Sequence, residues 1–255
     1  MRQRESKREI SREKFDAVLL DLDGVITDTA SLHAACWKQV FDEYLRERTA
    51  RNGETFRPFD LDADYRLYVD GKPRFDGVRS FLVSRGIDLP DGAPTDPLTA
   101  ETICGLGNHK NALVNEIMAR EGVEAYPGSV KAVDFMRQRG YKTAVVSSSE
   151  NCAAVLAAAG IESRFDVRVD GQTASDLGLL GKPEPDMFLA AARQLAVEPR
   201  RAIVVEDAIA GVRAGKQGGF GLVIGVARNG NHDELRSEGA SLVVADLEEL
   251  LPRLS

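Results

Sequence analysis

At 255 residues, with 43% hydrophobic and 29% charged residues, the chain has the composition of a globular protein long enough for a sizeable core and two domains. A net charge of −7 argues against an overall basic surface and against nucleic acid as the main partner, and no apolar run approaches a membrane span. Three scattered cysteines, Cys36, Cys104 and Cys152, form neither a CxxC pair nor a Cys/His ligand cluster, which argues against structural zinc or a disulfide framework and fits a reducing compartment.

Residues 1–14 are almost all polar or charged and lack the apolar stretch of a secretory signal, so they are expected to form a frayed or loosely docked tail on a cytoplasmic protein. Ala17–Leu22 reads as the first strand of a sheet, opened by an apolar run. It stops at Asp21-Leu22-Asp23-Gly24, followed by Thr27-Asp28-Thr29. Residues i and i+2 of a strand point the same way, so Asp21 and Asp23 leave the strand end together. Two carboxylates this close are costly without a counter-ion, although a strand followed by an acidic turn has the same pattern.

Residues 30–122 contain no convincing buried strand. Ala30–Leu45 reads as an amphipathic helix with Leu32, Cys36, Val40 and Tyr44 at spacing four; Gly77–Arg85 and Lys110–Glu121 also read as helices, and Asp88–Pro97 as a loop. This predicts a helical domain inserted after the first strand, with hinges near Thr27–Ala30 and Glu121–Pro127; one continuous domain with long helical excursions is the alternative. From residue 123 on, the runs Thr143–Ser147, Phe165–Val169, Ala202–Glu206, Gly221–Val226 and Leu242–Ala245 alternate with the helical stretches Val130–Arg139, Asn151–Ala159, Pro185–Ala196, Ala208–Gly218 and Asp233–Glu238. Continuous Val/Ile/Leu runs alternating with helices predict an α/β fold, a doubly wound parallel sheet covered on both faces. The domains are therefore a core of 15–29 and 123–255 and a helical unit of 30–122.

In such a sheet, ligands bind beyond the carboxyl ends of the strands. Those ends carry Asp21 and Asp23, Ser147-Ser148-Ser149, and Glu206-Asp207, while Lys182 precedes the Pro185 helix. Four carboxylates, a hydroxyl and an ammonium would meet there, a donor set that suits Mg²⁺. Each has an ordinary alternative: Lys182 as a surface lysine, Ser147 as a turn cap, Glu206-Asp207 as the N-cap of the next helix.

These segments resemble the motifs of the haloacid dehalogenase superfamily: Asp21-Leu22-Asp23-Gly24-Val25 is similar to the first, Val146-Ser147 to the second, Lys182 to the third and Val205-Glu206-Asp207 to the fourth. The resemblance implies a Rossmann-like core in which Asp21 is the nucleophile and forms an aspartyl phosphate. Asp23 would be the general acid and base, and Ser147 and Lys182 would hold the transferring phosphoryl oxygens. Mg²⁺ would be bound by Asp21, the Asp23 carbonyl, Glu206 and Asp207. Dehalogenases of that superfamily lack the second acid, so Asp23 points to phosphoryl transfer. The helical insert is similar to a C1-type cap, and further residues resemble the β-phosphoglucomutase-like family: Thr29, His33 and Trp37 in the hinge and first cap helix, Gly71-Lys72-Pro73-Arg74, Lys110-Asn111, and Ser147-Ser148-Ser149-Glu150-Asn151. The resemblance implies that Thr29, His33, Arg74, Lys110, Ser149 and Asn151 bind substrate, with Arg74, Ser149 and Asn151 at a phosphate distant from the metal. His33 as an internal hydrogen-bonder, Trp37 as cap packing, and Arg74 and Lys110 as solvated charges are the alternatives.

Two features depart from that pattern. Glu150 stands where the family often has lysine, and 45–65 is longer than the matching segment of compact members. Tyr68–Arg74 also resembles a domain attached to trehalose-processing proteins. The expected function is Mg²⁺-dependent interconversion of β-glucose 1-phosphate and glucose 6-phosphate. A hexose- or trehalose-phosphate phosphatase is the alternative, and a non-catalytic sugar-phosphate sensor a remote one. The expected partner is a small-molecule sugar phosphate, with neither nucleic acid nor membrane, and a monomer is the family-like default.

Overall fold

The computed structural model describes residues 10–228 and 230–254. The first strand, β1 (Ala17–Leu20), is buried on both faces, as its unbroken apolar sequence requires. Helix α1 (Ala30–Asn52), a short π-helical segment (Tyr65–Val69), α2 (Arg74–Ser84) and α3 (Ile103–Glu121) follow as a helical unit, called the cap below. The chain then alternates: α4 (Pro127–Gln138), β2 (Lys142–Val146), α5 (Cys152–Ala158), β3 (Val167–Val169), α6 (Gly171–Leu177), α7 (Asp186–Gln194), β4 (Ala202–Glu206), α8 (Ile209–Gln217), β5 (Leu222–Val226), α9 (His232–Glu238) and β6 (Leu242–Val244).

The strands form one parallel sheet in the order β3-β2-β1-β4-β5-β6. β1 lies at its centre, with Leu20 level with Val145 on one side and Val205 on the other. Alternation along β1 divides the core: Val18 and Leu20 pack with Ala132, Met136 and Leu156, whereas Ala17 and Leu19 pack with Met187, Phe188 and Val212. The chain winds outward from β1 in opposite directions, so the loops after β1, β2 and β4 diverge at one point and leave a crevice at their carboxyl ends.

The cap has its own core. Trp37 and Phe41 stack with centroids 5.0 Å apart, and Phe41 lies 4.2 Å from Phe81. Its two connections to the sheet run side by side, with Tyr126 N–H donating to the Ile26 carbonyl (2.8 Å) and Asp28 N–H to the Glu124 carbonyl (2.9 Å). No helix among the described residues is long and apolar enough to cross a membrane.

Several elements differ from expectation. Residues 1–9 of the expected tail lie outside the described residues, but Ile10 is buried in the core and its N–H donates to the Arg253 carbonyl (2.9 Å), so the chain is docked from there on. Helix α1 runs past Leu45 to Asn52 and stops at Gly53, whose φ of 69° suits glycine. After Gly53 the remainder of the long 45–65 segment folds back along α1. Asp42 accepts from the Phe59 N–H (2.7 Å), and Lys38 donates to the Phe59 carbonyl (2.8 Å). Arg46, Arg48 and Arg51 pair with Asp42, Glu54 and Glu101, so this segment reinforces the cap, and of its residues only Tyr65 lines the cavity described below.

Candidate active site

The crevice is built on a buried ion-pair cluster. Lys182 Nζ donates to Asp21 Oδ1 (2.5 Å) and the Val146 carbonyl (3.0 Å), and stands 2.6 Å from Glu206 Oε1. All three side chains are buried. Burial by itself would lower the Lys182 pKa, but Asp21 and Glu206 outweigh it and hold the ammonium above its ordinary value. The surface-lysine alternative is thereby excluded. One ligand oxygen from each of Asp21, Glu206 and Asp207 lies within 4.8 Å of the others. Burial pushes Asp21 well above the usual carboxylate range; Lys182 opposes this, and Glu206 and Asp23 push it further. Asp207 is raised in the same way by burial, Asp70 and Glu206. Three converging carboxylates facing one ammonium carry more negative charge than it balances, and their hard oxygens fit a divalent cation.

Two glycines make room for these carboxylates. Gly24 has a φ of 82°, and a Cβ there would lie 1.9 Å from Asp207 Oδ2. A Cβ on Gly211 would lie 1.7 Å from Glu206 Oε1. Glu206 also accepts from the Ala208 N–H (3.0 Å) and so holds the turn before α8 while it faces Lys182; the N-cap of α8 is Ala208, not Glu206 or Asp207.

Asp23 is held from the cap side. It accepts a short hydrogen bond from Thr29 Oγ1, and Thr29 and Thr27 hydroxyls lie 2.9 Å apart. His33 Nε2 is 3.5 Å from Asp23 Oδ1, and its Nδ1 is 2.7 Å from Lys110 Nζ, which sits 5.0 Å over the Trp37 ring. Burial and then Lys110 pull His33 down to about 4, against the pull of Asp23. Burial pulls Lys110 down to about 8. Near neutral pH, a neutral imidazole accepts from the Lys110 ammonium at Nδ1 and presents its Nε2–H to Asp23. His33 thus hydrogen-bonds within the cap, with Lys110 as its partner, while its Nε2 faces Asp23.

Of the residues expected at a distant phosphate, Arg74 and Ser149 share a cavity of about 630 Å³ with the carboxylates. Asp21, Asp23, His33, Trp37, Arg74 and Lys110 line it, together with Ser147 and Ser149. Ser147 Oγ accepts from the Ser149 N–H (3.1 Å), so its turn-capping role is present as well. Ser149 Oγ accepts from the Asn151 N–H (3.1 Å). Thr29 and Asn151 do not line the cavity. Thr29 is buried behind Asp23, and Asn151 donates to Asn111 Oδ1 (2.9 Å), which does line it. Arg74 is paired: Nη1 lies 2.7 Å from Glu150 Oε2 and the guanidinium lies over the Phe75 ring at 4.5 Å.

Sequence reasoning missed Asp70, Tyr65 and the wall formed by Gln172 and Ser175 of α6. Burial foremost, then Glu206, raises Asp70 to about 7, and Tyr65 is its hydrogen-bonding neighbour. Asp70 adjoins Gly71, and nothing in its local pattern marks the contact with the sheet end. Helix α6 buries none of its residues, so it carries no periodic apolar signal.

Comparison with known proteins places this geometry in a family. The family described as haloacid dehalogenase-like hydrolase matches residues 15–219. The chain is 51% identical over 242 residues to a β-phosphoglucomutase of Mycobacterium tuberculosis, covering 94% of this chain and 92% of that one. It is 41% identical over 129 residues to a trehalose-phosphate phosphatase of Mycobacterium leprae, covering 49% of this chain and 28% of that protein. Among solved structures, a β-phosphoglucomutase from Clostridium difficile superposes with a TM-score of 0.69 at 25% identity, covering 92% of this chain and 93% of that one.

Proposed function

The chain belongs to the haloacid dehalogenase-like hydrolase family, and on that premise we propose that it is a Mg²⁺-dependent sugar-phosphate phosphotransferase that interconverts β-glucose 1-phosphate and glucose 6-phosphate. One observation carries this reading. Asp21 and Asp23 line the same cavity, yet Asp23 is held by the cap-side residues Thr29 and His33, which ties the acid/base group to cap position.

An Asp21 carboxylate oxygen attacks phosphorus, and the bond from phosphorus to the sugar oxygen breaks as Asp23 gives that oxygen its proton. In the second half, Asp23 takes a proton from an incoming sugar hydroxyl. That oxygen bonds to phosphorus, and the Asp21 carboxylate is released. Transfer to C6 of β-glucose 1-phosphate yields the 1,6-bisphosphate, and return of its C1 phosphate to Asp21 yields glucose 6-phosphate. Lys182 balances the Asp21 charge, and Ser147 donates toward the transferring phosphoryl. Mg²⁺ bound by Asp21, Glu206, Asp207 and the Asp23 carbonyl would supply the remaining positive charge. A cap that shields the cavity favours the positioned sugar hydroxyl over ~55 M water, because well-oriented groups reach effective molarities on the order of 10⁵ M or more.

The bisphosphate needs a cationic seat at its far end, and Arg74 with Ser149 meets that need. Arg74→Ala should lower mutase turnover about 10- to 100-fold, the value of a charge-assisted hydrogen bond, while release of inorganic phosphate changes far less. Following both products in one assay decides it: an unchanged ratio removes the distal seat. A sugar-phosphate phosphatase is the second reading. It is favoured by the 41% identity over 129 residues to a trehalose-phosphate phosphatase.

A further inference from the structure

The Arg74–Glu150 pair joins the cap to the sheet domain at the cavity wall. Arg74 opens α2 on the cap side, and Glu150 follows Ser149 in the loop after β2. The turn that carries Arg74 is seated closely on the core loops. Ser148 Oγ donates to the Gly71 carbonyl (2.7 Å), and a Cβ on Gly181 would lie 2.1 Å from Pro73 Cγ. Arg74 is thus held in place by backbone packing, by Phe75 beneath its guanidinium and by Glu150 at Nη1, while its Nε is buried without an acceptor. A guanidinium offers carboxylate and phosphate the same fork of donors, so a carboxylate on Nη1 occupies part of the seat a phosphate would use.

We propose that Glu150 is a built-in competitor of the distal phosphate: its carboxylate holds the Arg74 fork and must give it up when a phosphate binds there, so Glu150 sets how strongly the enzyme favours sugars with a second phosphate. The identity of the ligand rests on the sugar-phosphate reading above; the exchange of anions at Arg74 does not.

The physics of the exchange is a contest between two anions for one cation. A phosphate monoester carries about −1.5 to −2 at neutral pH and outcompetes a single carboxylate for the guanidinium. The displaced carboxylate then stands beside the phosphate, and this like-charge contact weakens binding unless it turns away. Glu150 has room to do so, since 38% of its side chain is exposed, against 17% for Arg74. The exposed partner and the cost of ordering two long side chains keep the pair weak in itself, so its effect on affinity is graded rather than all-or-none. A lysine at this position would add to the seat, whereas glutamate taxes it. The arrangement trades affinity for the distal phosphate against a cap turn that stays anchored by a charge of the protein's own.

The test uses the full chain in an Asp21→Asn background, where ligands bind without turnover, with Mg²⁺ present. Inorganic phosphate and glucose 1,6-bisphosphate are titrated calorimetrically. Adding Glu150→Gln should tighten binding of the bisphosphate, and of a second phosphate beyond the one seated at the Mg²⁺ site, about 3- to 10-fold, and adding Arg74→Ala as well should cancel the gain. Unchanged or weaker binding of both ligands in the Glu150→Gln variant overturns the proposal, as does a gain that survives Arg74→Ala. If phosphate binding tightens while the bisphosphate does not bind at all, the exchange at Arg74 stands and the hexose bisphosphate reading falls. If the bisphosphate binds but neither ligand gains, the exchange alone falls.

Discussion

Asp21→Asn should lose on the order of 10⁴-fold or more in kcat while the protein stays folded. The amide matches the carboxylate in shape and keeps an oxygen to accept from Lys182, which now donates at 2.5 Å. It removes the anionic lone pair that attacks phosphorus in the proposed mechanism. It also removes one of three carboxylates crowded within 4.8 Å, each costly to bury as an anion. The melting temperature in chelator should therefore stay level or rise as activity disappears. That combination separates loss of a nucleophile from loss of structure, and is read by a coupled glucose 6-phosphate assay beside a thermal scan. Full activity in this variant would remove Asp21 as the nucleophile.

Lys182→Met should have the largest effect on stability. Methionine has similar length and fills the same buried space, so little of the effect comes from packing. What is lost is the cation between Asp21 and Glu206, 2.5 and 2.6 Å away. Removing one partner of a buried pair costs about 3–5 kcal/mol, because the other charge is left without compensation. For a chain of this size that is roughly 6–20 °C in melting temperature. Mg²⁺ at the same carboxylates should restore part of the loss, since an ion that binds only the folded state stabilises it. Thermal scans of the variant in chelator and in millimolar Mg²⁺ read this directly. An equal loss in both would mean that the carboxylates do not hold a cation.

How much of this was legible in the sequence follows from which residues advertise their environment. The apolar runs around Val18, Val145, Val204 and Ile224 sit in strands buried on both faces, so each run is unbroken and its position is plain. The ends of those runs carry Asp21, Ser147 and Glu206, and the parallel topology alone brings them together. Asp42, Thr29 and Asp70 were harder to place. Their roles depend on partners that lie 17 residues away for Asp42, on a buried hydroxyl pair for Thr29, and on the seating of the cap turn for Asp70. Helix α1 continues past Leu45 through Arg46–Asn52, where no apolar stripe exists and surface ion pairs support the turns instead. The pairing of Arg74 with Glu150 was hidden for the same reason. Charge at neither position reveals which element the side chain will meet.

The most direct test of the account is phosphorus NMR of the protein with Mg²⁺, β-glucose 1-phosphate and a trace of the 1,6-bisphosphate. The account predicts growth of the glucose 6-phosphate resonances at the expense of the 1-phosphate, with little inorganic phosphate, because the Asp23 that Thr29 and His33 hold against the cap serves a sugar hydroxyl. A spectrum in which inorganic phosphate is the sole product would contradict it, and would make water the acceptor that Asp23 activates.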